Sequence, residues 1–104
     1  MPHITVRGVS KEKLKEYAED VKNIVVSASE VKREYVKIFY SPVERVDAAA
    51  ETAVDVYWMP RTQELRDRVA AQLTEYFQKK GSPFVQVTFT EFQGNLFYEN
   101  GVHY

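Results

Sequence analysis

The chain has 104 residues, 44% hydrophobic and 28% charged, with a formal net charge of −1 and no cysteine. That length holds one domain with a modest core, residues 1–104, and the balance is that of a globular protein rather than a disordered one. Near-neutral charge gives no pull toward nucleic acid or an anionic membrane, and the missing cysteines exclude disulfides, thiol nucleophiles and cysteine-bound metals. No apolar run approaches a membrane span and the N-terminus lacks the regions of a signal peptide, so a cytoplasmic protein is expected.

Proline stands directly behind the initiator methionine and leads at once into an alternating run, His3 to Arg7. Methionine is usually trimmed before proline, and trimming here leaves a secondary amine at the head of a strand. An α-amino group titrates at about 8, and burial beside a cation lowers that value. Such an amine is a competent general base near neutral pH. Taken alone, Met-Pro is also simply a common way for a protein to begin.

A helix is expected after Ser10, its apolar stripe formed by Leu14, Tyr17, Ala18, Val21, Ile24, Val25 and Ala28. A strand over Tyr35–Tyr40 closes the first β-α-β unit, residues 2–42. The connection, 43–52, contains the run Ala48 to Ala50, which could form a helical turn. The pattern then repeats over 53–98: Val54, Val56 and Trp58 alternate, and a helix after Thr62 carries Leu65, Val69, Leu73, Tyr76 and Phe77. It stops at Lys79-Lys80-Gly81, and a strand matching the first unit's runs from Phe84 to Phe89. The last segment, 96–104, holds Asn100-Gly101 between aromatic residues, the signature of a type I′ hairpin. The whole reads as an α+β fold: two β-α-β units in a four-stranded mixed sheet, two helices on one face, and a C-terminal hairpin.

Strand alternation gives the sheet two unlike faces. Ile4, Val6, Val36, Ile38, Val54, Val56, Val85 and Val87 lie under the helices. The other face collects His3, Thr5, Arg7, Tyr35, Lys37, Phe39, Asp55, Tyr57, Met59, Gln86 and Thr88. Aromatics mixed with charges in this way suit a subunit interface or a site, although cross-strand aromatic pairs also stabilise plain exposed sheets.

Proline at position 2, the duplicated unit and the aromatic tail together resemble the tautomerase superfamily, which includes oxalocrotonate tautomerase and macrophage migration inhibitory factor. The segments Val85-Gln-Val-Thr-Phe-Thr-Glu-Phe and Gly94-Asn-Leu-Phe-Tyr-Glu-Asn are similar to the end of the macrophage factor. Pro2-His3 with Arg7, Val54-Asp-Val-Tyr-Trp58 with Arg61 and Gln63, and Tyr98-Glu-Asn-Gly-Val-His-Tyr look more like a bacterial branch labelled as a domain of unknown function. The resemblance implies a homotrimer that needs no cofactor and isomerises a carboxylate-bearing keto or enol compound. By position, Pro2 is the base and Lys37 the cation that holds carboxylate or enolate. Gln86 and Thr88 fall on polar site positions, and Phe97 or Tyr98 on an apolar wall. The arginine that oxalocrotonate tautomerase places before its first helix is matched by Val9, so Arg7 is the substitute.

Other residues carry weaker signals. His3 and His103 are the only histidines, too few ligands for zinc, and His3 is expected to orient the terminus or make a hydrogen bond. Arg61 either binds a carboxylate across a subunit boundary or is a surface cation; Trp58 belongs to the core. Two other functions are consistent with the pattern: a catalytically silent tautomerase-fold module for interaction or ligand binding, and a ferredoxin-like regulatory domain.

Overall fold

Alternation of Ile4 and Val6 with His3, Thr5 and Arg7 gives β1 (His3–Arg7) one buried and one open face. In the computed structural model, which describes residues 1–104, it is one of the two inner strands of the sheet. The chain continues through α1 (Lys11–Ser29), β2 (Lys37–Tyr40), β3 (Thr52–Trp58), α2 (Gln63–Lys79) and β4 (Val85–Glu91). A hairpin of β5 (Tyr98–Glu99) and β6 (Val102–His103) follows. The strand order is β2-β1-β3-β4; each helix joins two parallel neighbours, and β1 and β3 run antiparallel at the centre. A ferredoxin-like arrangement is therefore excluded, because its split β-α-β units do not leave helix-linked strands adjacent.

The helix starts are set by single side chains. Ser10 Oγ accepts from the Lys13 N–H at 3.2 Å and Thr62 Oγ1 from the Leu65 N–H at 3.2 Å, capping α1 and α2. Leu14, Val21, Val25 and Ala28 of α1 and Val69, Leu73 and Phe77 of α2 are buried on the sheet. Beneath them lie Ile4, Val6, Val36, Val54, Val56 and Trp58 in one continuous core. Phe89 joins this face, its ring stacked on Trp58 at 5.3 Å. The β1–α1 turn depends on Gly8 (φ 85°), where an added Cβ would stand 2.0 Å from the Glu51 carbonyl oxygen.

Three local expectations are corrected. Residues 33–35 form a 3-10 turn, with the Val36 N–H donating to Arg33 O, so the second strand begins at Lys37 and not at Tyr35. The connection holds no helical turn: Ala48–Ala50 is a short exposed run without a cap, too brief to bear the cost of nucleation. Arg45 organises it instead, bonding Asp47, Glu51 and the Ala49 carbonyl. The last sheet strand extends beyond Phe89 to Glu91, which pairs with Trp58.

Candidate functional site around the N-terminus

Hydrogen bonding in the sheet sets the site's first two members. The Lys37 N–H donates to the Pro2 carbonyl at 3.1 Å, and His3 lies opposite Lys37 on one side and Tyr57 on the other. Pro2 therefore enters the sheet at once, with less than 2% of its surface exposed, and Met1 is 6% exposed. Chain termini are ordinarily loose, so this enclosure requires neighbours that hold it.

The C-terminal segment supplies them. The Phe92 N–H donates to Trp58 O at 3.2 Å, carrying the chain past the end of β3 toward the terminus. A train of rings then forms: Tyr57 stacks on Phe92 at 4.6 Å, Phe92 on Phe97 at 5.4 Å, and Phe97 meets His3 edge-on at 6.0 Å. Phe39 approaches the other side of His3 at 5.4 Å. Asn100 (φ 50°) and Gly101 (φ 85°) make the type I′ turn that reverses the tail. The Tyr104 N–H then returns to Phe97 O at 3.0 Å, and the Tyr104 hydroxyl donates to Glu99. That bond to Glu99, chiefly, pushes the Tyr104 phenol up to about 12.

Charges converge on this end of the sheet. The Met1 amino group is held below its ordinary value mainly by burial; Glu99 opposes that shift, while Lys37 and Arg61 add to it. His3 is lowered too, first by burial, then by the neighbouring amine and Lys37. Arg61 is anchored to neutral groups: it donates to Met59 O at 2.9 Å and Pro60 O at 3.2 Å, with its guanidinium 5.1 Å over Trp58. Neither Lys37 nor Arg61 has a carboxylate partner within ion-pair distance, so both charges remain available to an anion.

Pro2, His3, Lys37, Arg61 and Phe97 are thus brought together in a single chain. Arg7, Gln86 and Thr88 are not. Arg7 lies across from Ala53, which pairs with Gln86, about five residues or ~16 Å along the sheet from Pro2. Thr88 sits midway, opposite Asp55. Arg7 is 3.9 Å from Asp55, and Val9 packs against the core, which is why no arginine stands there. Tyr98 is exposed and meets His103 at 5.7 Å rather than the terminus. Glu99 and Tyr104 escaped the sequence reading, although the Asn100-Gly101 turn fixes the pairing Tyr98–His103 and Glu99–Val102 and so places both near the tail's fold-back.

A cleft of about 720 Å³ lies at the Arg7 end between Tyr40, Arg45, Glu51 and Gln86. Its cations are already matched, Arg7 by Asp55 and Arg45 by Asp47 and Glu51, and Tyr40 is the one aromatic ring that lines it. The terminus, with two unmatched cations against an aromatic wall, is the better site for an anionic organic molecule. No group of three His, Asp or Glu side chains is arranged to hold a metal.

A family model described as a domain of unknown function (DUF1904) matches residues 1–103. No curated protein matches the chain. A DUF1904 structure from Sebaldella termitidis is 30% identical over 100% of both chains, with a TM-score of 0.89. A wild-type fused 4-OT, an asymmetric trimer, is 16% identical over 97% of this chain and 94% of its own, TM-score 0.81. A macrophage migration inhibitory factor from Toxoplasma gondii is 15% identical over 99% and 98%, TM-score 0.73. The fold is that of the tautomerase group.

Proposed function

We propose, from the premise that the chain belongs to the DUF1904 family, that it is a cofactor-free tautomerase of the cytoplasm whose base is the Pro2 amine freed by loss of Met1. One observation carries the reading: position 2 is enclosed at the head of β1, and the amine beside it feels Lys37 and Arg61, neither of them ion-paired, as well as Glu99. Burial, the main cause of the lowering at Met1, favours an uncharged amine, the form that accepts a proton; Lys37 and Arg61 act in the same direction and Glu99 against them.

The chemistry follows from the geometry. The proline nitrogen takes a proton from the carbon beside a carbonyl; that C–H bond breaks, an N–H bond forms, and the electron pair moves to the carbonyl oxygen. Lys37 and Arg61 meet the enolate and the substrate carboxylate, stabilising charge where it develops. Glu99, fixed by Tyr104, faces the ammonium until the proton returns at a different atom. His3 and Phe97 form the wall against the substrate, while Arg7, Gln86 and Thr88 contribute only if a neighbouring subunit presents them.

Such a neighbour is part of the proposal. The open sheet face displays Phe39 and Tyr57, and the C-terminal segment displays Leu96, Tyr98 and Val102. A homotrimer would cover this surface, an arrangement supported by the trimeric fused 4-OT. No helix is long and apolar enough to cross a membrane.

The buried Met1 and the core position of Val9 favour a second reading, a silent module that keeps the fold and the assembly. Ketonisation of aryl and alkyl α-keto acid enols by the methionine-free protein, without metal, separates the two. Pro2→Ala is expected to lose roughly a hundredfold in rate, more than Lys37→Ala loses. If Pro2→Ala matches the parent, or both match buffer, the silent module stands.

A further inference from the structure

Arg61 stands on the short loop between β3 and α2, where a long side chain ordinarily samples many rotamers. Here it is held from two directions by side chains that the proton transfer does not use. β3 leaves the sheet beside the terminus, with Tyr57 opposite His3, and the corner Met59–Arg61 follows at once. Arg66, near the start of α2, donates through Nη1 to the Arg61 carbonyl at 2.6 Å and to Glu91 at 2.8 Å. Glu91 ends β4, and its other oxygen accepts from the Trp58 indole N–H at 2.9 Å. Trp58 is the buried ring over which the Arg61 guanidinium lies at 5.1 Å. Gln63 sets the plane of Arg66, its side-chain oxygen accepting from Nε at 3.3 Å and from Nη2 at 2.9 Å.

We propose that Gln63, Arg66 and Glu91 are positioning residues for Arg61, holding its guanidinium at the terminus as a preformed contact for a substrate carboxylate. The inference rests on the tautomerase reading only in taking Arg61 as an anion contact. Two features carry it. Arg66 and Glu91 form the least exposed ion pair of the chain, at 25% and 21%, so water competes with it less than with the others. A pair serving only to join α2 to β4 need go no further. This one continues to Arg61 by both routes, to its backbone through Arg66 and to the platform of its guanidinium through Glu91. A cation already in place gives up little freedom when an anion arrives, so loss of the network weakens binding while Arg61 itself is intact.

The test uses the methionine-free full chain as parent, Glu91→Gln and Arg66→Lys, each with and without Arg61→Ala. Glu91→Gln keeps the side chain's size, but its amide nitrogen cannot accept, so the bond to Trp58 or to Arg66 is lost. Arg66→Lys keeps a charge for Glu91 without the planar fork that Gln63 holds, and serves where Glu91→Gln fails to fold. Two readouts are taken: the proton shifts of the Arg61 side chain, which the Trp58 ring moves upfield, and the affinity for phenylpyruvate by calorimetry. In Glu91→Gln the Arg61 shifts are expected to return toward ordinary arginine values and affinity to fall about tenfold, against less than about twofold in the Arg61→Ala background. Arg66→Lys is expected to lose about threefold. Unmoved Arg61 shifts, an equal loss with and without Arg61, or no binding by the parent overturns the proposal. Binding that follows the expected pattern without turnover would uphold the positioning and reject the tautomerase. Turnover of the enol that is equal in parent and Glu91→Gln would do the reverse.

Discussion

Replacing Phe97 by alanine removes the ring that joins the C-terminal tail to the terminus. Phe97 touches His3 at 6.0 Å, Phe92 at 5.4 Å and Tyr104 at 5.0 Å. Three aromatic pairs at about 0.5–1.5 kcal/mol each, plus about 1 kcal/mol for half-burial of the ring, give roughly 4 kcal/mol. Phe97 lies outside the core beneath the helices, so this loss falls on docking of residues 92–104 and not on global unfolding. Amide hydrogen exchange reads it directly: the Tyr104 N–H, bonded to Phe97 O, should lose roughly a hundredfold or more in protection. His3 should titrate closer to its ordinary value, because burial is the main cause of its lowering. Protection within about threefold of the parent, or a released tail with His3 unmoved, would show that Phe97 does not hold the tail against the terminus.

Gly8→Ala forces a Cβ onto Glu51 O at a positive φ, and should cost roughly 3 kcal/mol in urea unfolding through backbone strain and overpacking; a loss below about 1 kcal/mol contradicts the close approach. The pH dependence of stability has a definite sign. In the chain retaining Met1, the amine and His3 are lowered from 8.0 and 6.5, so the folded state binds fewer protons than the unfolded one. Their contribution is complete above pH 8.0 and is lost as pH falls through the folded values of the two groups. Thermal midpoints should therefore fall on acidification from above pH 8 into the range below 6.5, less steeply in His3→Phe; equal slopes in the two proteins would contradict this.

Much of the architecture was legible because local and long-range signals agreed. Ser10 and Thr62 precede stripes of period 3.6, and both cap the helices they announce. Asn100-Gly101 is one of few pairs able to take two positive φ values in succession, so the hairpin followed from chemistry alone. Tyr35 misled because its β propensity is outweighed by a 3-10 bond from Val36 to Arg33. Ala48–Ala50 misled because propensity without a cap or a packed face does not make a helix.

The site was half legible. Lys37 and His3 could be placed from strand phase, since a parallel register fixes which residues lie abreast. Arg7, Gln86 and Thr88 share the correct face but sit too far along it, a distance that face assignment does not measure. Glu99 reaches the terminus, with Tyr104 holding it, through tail docking, which depends on a string of ring contacts rather than on any periodicity.

Base catalysis at position 2 requires that Pro2 present a neutral amine. A 15N-proline NMR titration of the methionine-free protein measures this directly. The expected titration midpoint lies below the ordinary α-amino range of about 7.7–8.0 and moves upward in Lys37→Ala as a repelling charge is removed. A midpoint within or above that range, unmoved in Lys37→Ala, would contradict it.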